Sequence, residues 1–253
     1  MPIDAFATSA LAFATGELLA IVLIPQPFAF RALSLVVVAI AAASRLPQTL
    51  ALAMLVRLAE TLWKMPNCWD SYYWALQIDG GMLLLLLLCG RHADRDSLAD
   101  HWATTARAQL SLFYVASSFW KLNTSFLNPA TSCAPVFVLT LLPTLGITPA
   151  AHLAQLIARA SPVITILGEA AIGVLLLLPS RRLARYAVGL ALLLHLGIAL
   201  TPPPNNAVPF SLKCVVRLII THPFGVSAAL GEVRPLAACP PTLTLASSQN
   251  LPG

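Results

Sequence analysis

The sequence predicts an all-α fold, a multi-pass transmembrane helical bundle of about six to eight spans. Three observations carry that prediction. Of the residues, 58% are hydrophobic and only 10% are charged, where soluble domains carry roughly 25% charged residues. Mean hydropathy is +0.81. Apolar runs recur along the chain, separated by prolines, arginines and polar turns. The length of 253 residues suits one bundle, at about 20 residues per span plus loops. A single transmembrane domain is expected over 1–230. Residues 231–253, rich in proline, threonine and serine, read as a disordered tail. The net charge of +5 reads as topology-setting arginine and excludes a nucleic-acid footprint.

The elements follow in order. Ala5 to Ile24 is long enough to cross a bilayer and carries Glu17. No basic segment precedes it, so it is expected to stay as a span and not to be a cleaved signal. Pro25 and Pro27 end it, because proline cannot continue the helical ladder without a kink. Phe28 to Ala43 is a second run, closed by Arg45 and Pro47. Thr49 to Trp63 is a third. Arg57 and Glu60 lie three apart in it, a spacing that allows an ion pair turned inward. The segment 64–74, KMPNCWDSYYW, has the Trp/Tyr content of a membrane interface. Tyr73 to Cys89 is the clearest span, with Asp79 and Gly80-Gly81 in its first half. GRHADRDSLADH, residues 90–101, is the most charged stretch and is expected to lie in water. Its His and Asp residues lack any ordered metal-ligand spacing, so no metal site is read there.

A helix of about Thr105 to Leu122 follows and places Lys121 where it should leave the hydrocarbon. An Asn123-Thr124-Ser125 turn comes next; it satisfies the N-glycosylation triplet but sits too close to the membrane for modification. The apolar stretch 134–145 is too short for a span and reads as a re-entrant or interfacial segment. His152 to Ser161 reads as an amphipathic helix, and Pro162 to Leu178 as a span carrying Glu169. Arg181, Arg182 and Arg185 mark its end. Leu183 to Leu200 is another span, with His195 near its far end. Val208 to Ala229 is a last candidate, weakened by Lys213, Arg217 and Pro223.

Charge counting sets a topology. The positive-inside rule puts 90–101 and the Arg181–Arg185 turn on the cytoplasmic side. Both fit only if an even number of spans separates them, so 134–145 does not cross. Segments 64–72 and 122–133 then share the outer or lumenal side, with the N-terminus inside. Cys68 and Cys133 lie in those two segments, and an oxidising compartment would let them pair.

Glu17, Arg57, Glu60, Asp79, Lys121, Glu169 and His195 are ionisable residues in apolar runs. Each costs roughly 2.5 kcal/mol or more near the bilayer centre if it is Asp, Lys or Arg. All should face inward or sit near a helix end. Glu169 and His195 lie on adjacent helices joined by a tight turn, which gives them similar depth. They form either a bundle staple or a site wall. Lys121 is either a lysine snorkelling to the interface or a base at a desolvated helix end.

The stretch FYVASSFWKLNTSFL resembles the YF-x-AG-x-x-KL-(D/N)-x-x-W segment of the vitamin K-dependent γ-carboxylase-like membrane domain, also called the horizontally transferred transmembrane domain. Tyr114, Ala116, Lys121 and Leu122 fall in register, with Phe126 in place of the tryptophan. PNCWDSYYWALQIDGGMLLLLL is similar to the loop and helix that precede it in that family. GEAAIGVLLLLPSRRLARYAVGLALLLHLGIAL looks like its acidic helix, arginine turn and following helix. Together these pieces cover roughly residues 45 to 220 in order. The resemblance implies that Lys121 matches the lysine that deprotonates vitamin K hydroquinone. Glu169 and His195 would stand nearby, and Tyr114, Trp120 and Asp79 would be candidate contacts to a quinone-like or lipid ligand. Two departures matter. The family's carboxylase histidine falls near Asp70, and the large lumenal substrate domain is expected to be absent. The expectation is therefore the helical bundle with a quinone-like or lipid ligand near Lys121, not a γ-carboxylase proper. The alternatives are a non-enzymatic membrane subunit, a lipid binder or a transporter-like protein.

Overall fold

Prolines and polar turns cut the chain into helices, and the computed structural model places ten of them among the residues it describes, 4–23, 28–63, 70–90, 94–202 and 207–221. They are α1 (Ala5–Leu23), α2 (Phe28–Ser44), α3 (Pro47–Trp63), α4 (Asp70–Cys89), α5 (Arg95–Trp120), α6 (Thr124–Leu127), α7 (Cys133–Thr144), α8 (Ala151–Leu177), α9 (Arg181–Leu200) and α10 (Val208–Thr221). No strand occurs among the described residues. Two helical stretches, Ala151–Leu177 and Arg182–Leu200, are long and apolar enough to cross a membrane. Shorter apolar helices cover Phe6–Val22, Phe30–Ser44, Gln77–Cys89 and Cys133–Thr144.

Local chemistry explains the ends. The Asp94 side chain accepts from Ser97 N at 2.8 Å and starts α5. Helix α2 stops at Arg45, whose φ of 53° is left-handed, and Pro47 opens α3 in the first-turn position where proline lacks nothing. Gly146, at φ 75°, closes α7 while Ile147 N bonds Leu142 O at 2.9 Å.

The elements differ from the sequence expectation in two main places. The charged stretch 90–101 is not all solvated loop: from Arg95 it is helix, and Leu98, Ala99 and Trp102 are buried. The apolar residues of that stretch sit on one face and pack into the core, while Asp94, Arg95 and Asp96 stay exposed. Residues 152–161 and 162–178 do not form two elements. They merge in α8, with Pro162 inside it. Proline removes the amide that would bond Ala158 O, and the Ser161 hydroxyl donates to that carbonyl at 3.2 Å instead. The last candidate span is helical over Val208–Thr221; its remainder lies outside the described residues.

Helix α5 organises the core. Its first half, Leu98, Ala99, Trp102 and Ala106, packs with α1, α3 and α4. Its second half, Leu110, Phe113 and Tyr114, packs with α8, α9 and α10. A third cluster joins α1, α2 and α3. Helices α5 and α8 run antiparallel in close contact. Arg107 donates to Leu176 O at 2.5 Å and Leu178 O at 2.8 Å, capping the end of α8, and Ser111 donates to Gly173 O at 2.6 Å. At one end of the bundle Arg95 reaches Asp4 at 2.9 Å and Arg45 O at 2.5 Å, tying together α1, the α2–α3 link and α5.

Candidate functional site

Two polar clusters lie between the helices. The first stands at the end of α5. Lys121 follows the last turn of that helix, where its amine reaches back to Ser117 Oγ at 2.5 Å. Across the helix pair Glu169 presents both carboxylate oxygens to Lys121 Nζ, at 2.8 and 2.6 Å. The three N–H groups of the ammonium therefore meet three acceptors. The pair is not sealed: its side chains are 26% and 11% exposed. Phe126 of α6 lies 5.8 Å from the ammonium, ring centroid to nitrogen.

One turn before Ser117, and deeper, Tyr114 Oη lies 2.6 Å from His195 Nε2 of α9. Both side chains are buried, and Phe210 of α10 stands edge-on to the imidazole at 6.2 Å and to Phe113 at 5.4 Å. His195 Nδ1 is buried and has, among the described residues, no hydrogen-bond partner. If Tyr114 donates to Nε2, Nδ1 is a donor; if Nε2 donates, Nδ1 is an acceptor. Either way one directional polar atom stands in an apolar surround.

The second cluster joins α1, α2, α3, α4 and α10. Arg57 donates through Nε to Glu17 at 2.7 Å and through Nη1 to Glu60. Ser34 Oγ donates to the same Glu60 oxygen at 3.1 Å. Lys213 Nζ stands 3.1 Å from Glu17 Oε1, and Arg217 pairs with Asp79 and lies 3.8 Å from that Glu17 oxygen. Glu17 Oε1 faces these two cations and has, among the described residues, no hydrogen-bond partner. All six ionic side chains are buried.

Of the predicted site residues, the structure brings Lys121 to Glu169 and His195 to Tyr114, on neighbouring turns of α5. It places Asp79 in the other cluster as the partner of Arg217. Trp120 is not brought in: it is 73% exposed, on the outside of α5. Asp70 opens α4, and its side chain lies outside what is described. Cys68 also lies outside the described residues; Cys133 opens α7, exposed and, among the described residues, without a cysteine partner. The expected Arg57–Glu60 pair forms. Sequence reasoning missed Ser117, Ser34 and Phe210, and counted Lys213 and Arg217 only as obstacles to a span. Their spacing of four residues was the available signal, since it puts both cations on one helix face.

No family model, curated protein or solved structure matches the chain.

Proposed function

We propose that the protein is a multi-pass membrane bundle of the γ-carboxylase-like kind, holding a quinone-like or lipid ligand beside Lys121. The distribution of polarity supports the membrane reading. Ionic side chains such as Arg57 and Asp79 are buried, while Leu84, Leu87, Leu156, Ile164 and Leu193 are more than half exposed. A chain folded in water would sort these groups the other way. Eight helices, α1–α5 and α8–α10, have 14 to 27 residues, while α7 has 12. The antiparallel α5–α8 contact supports putting the start of α5 and the Arg181–Arg185 turn at the same end, as the positive-inside rule requires.

The single observation behind the ligand reading is His195 Nδ1, a buried polar atom with no partner among the described residues, one helix turn from an incompletely covered Lys121–Glu169 pair. A carbonyl or hydroxyl head group would satisfy it. Lipid and quinone identification by mass spectrometry on protein purified from membranes tests the reading. The wild type should retain a bound amphipathic molecule, and Lys121→Ala and His195→Phe should lose most of it. Equal retention in all three rejects the site. A second reading, in which these residues only staple the bundle, draws on the complete acceptor set of the Lys121 ammonium. It predicts no co-purifying ligand and a loss of stability in both variants.

A further inference from the structure

The buried ionic cluster takes cations from a helix far along the chain. Glu17 on α1, Glu60 on α3 and Asp79 on α4 supply three carboxylates, and Arg57 on α3 supplies one guanidinium. Within α1–α4 Arg57 serves Glu17 and Glu60, while Asp79 has, among the described residues, no cation of those helices paired with it. Lys213 and Arg217 on α10 contribute +2. The two cations lie one turn apart and meet Glu17 and Asp79 on two different helices. Beside the cations α10 buries Ser211, Cys214, Val216 and Leu218, and the fit is close: a Cβ on Gly16 of α1 would stand 2.6 Å from Val216. At its start, α10 carries Phe210 against the His195 ring.

We propose that α10 is a charge-seated closing helix. Its two cations pair with Glu17 and Asp79, buried on α1 and α4, and that seating puts Phe210 over the His195–Tyr114 pair. Asp79 and Glu17 act as positioning residues for α10. Neither charge set is stable in the apolar interior without the other, because an unpaired buried ion costs far more than a neutral side chain of similar volume. The inference does not rest on the ligand reading, since no ligand enters it.

Cys214 is a built-in reporter. It lies on α10 between the two cations and is 1% exposed. In a full-length chain with Cys68, Cys133 and Cys239 as serine and Cys89 as alanine, labelling by a polar maleimide reads the seating of α10. The parent should be protected. Asp79→Leu, which leaves Arg217 only the longer 3.8 Å contact to Glu17, should label at least about tenfold faster, as the unseated population rises. Asp79→Leu with Arg217→Leu, which removes the pair together, should return to within about twofold of the parent. Unchanged protection in Asp79→Leu overturns the proposal. So does a double variant that labels as fast as the single. If Asp79→Leu fails to accumulate, recovery of folded protein in the double variant supports the proposal, and failure of both overturns it.

Discussion

Lys121 shows how a single side chain changes meaning with its neighbours. At the end of an apolar run, a lysine suggests snorkelling or a base. In the structure its amine is occupied by Ser117 and both oxygens of Glu169. A ligand oxygen can reach the amine only by replacing one of these. His195 is the opposite case, with one ring nitrogen engaged and the other, among the described residues, unpartnered. Backbone conformation is also legible at this scale. Arg45 has an exposed side chain and a left-handed φ of 53°. A non-glycine residue there costs about 1–2 kcal/mol. Arg45→Gly relieves that strain and keeps the carbonyl that Arg95 uses. Thermal unfolding in detergent should show a midpoint raised by about 2–4 °C; a lowered midpoint would show that the Arg45 side chain matters more than its backbone.

Among the helices, the α5–α8 contact is the tightest constraint around the candidate site. A Cβ on Gly173 would meet Val115 Cγ2 at 2.7 Å and two backbone atoms, Ser111 O and Val115 N, at 3.0 Å. Backbone cannot give way as a flexible side chain does. The gain in helix propensity from Gly to Ala is at most about 1 kcal/mol, while overpacking costs about 1–3 kcal/mol. Gly173→Ala should therefore destabilise, and Gly173→Val more so. Gly168, five residues earlier in the same helix, has nothing within 4 Å of its would-be Cβ. Gly168→Ala should be neutral or stabilising by up to about 1 kcal/mol. Denaturation midpoints of the two alanine variants give the comparison; equal shifts would mean that helix packing at Gly173 is looser than the geometry indicates.

For the whole molecule, the testable statement is the order of crossings in the proposed multi-pass arrangement. Charge counting puts 90–101 and 181–185 on one side and 122–133 on the other. The antiparallel pairing of α5 with α8 and the shortness of α7 agree with that order. An epitope inserted after residue 128 should be protected from an impermeant reagent in right-side-out or inside-out vesicles, whichever exposes epitopes at 96 and 182. Exposure of all three in one vesicle type would remove the topology. The buried ionic cluster belongs to this scale too, because its charges come from four helices, α1, α3, α4 and α10, and from no pair among them.

What the sequence determined by itself is the all-helical class, most helix positions and the inward ion pair of Arg57 with Glu60. Composition and local spacing are enough for these, because apolar runs, proline breaks and i, i+3 contacts are properties of short segments. The candidate site was partly legible: Lys121, Glu169 and His195 stood out because ionisable groups in apolar runs demand partners, and Tyr114 was singled out only by the resemblance of its segment. Trp120 did not belong, since adjacent helix positions face different directions and Trp120 points outward. Only the tertiary structure decided which partner each charge takes. Asp79 meets Arg217 across 138 residues of chain, and Lys213 meets Glu17 across nearly the whole fold. No local pattern encodes those distances. They follow from where α10 packs, which depends on the summed burial and charge balance of every helix that precedes it.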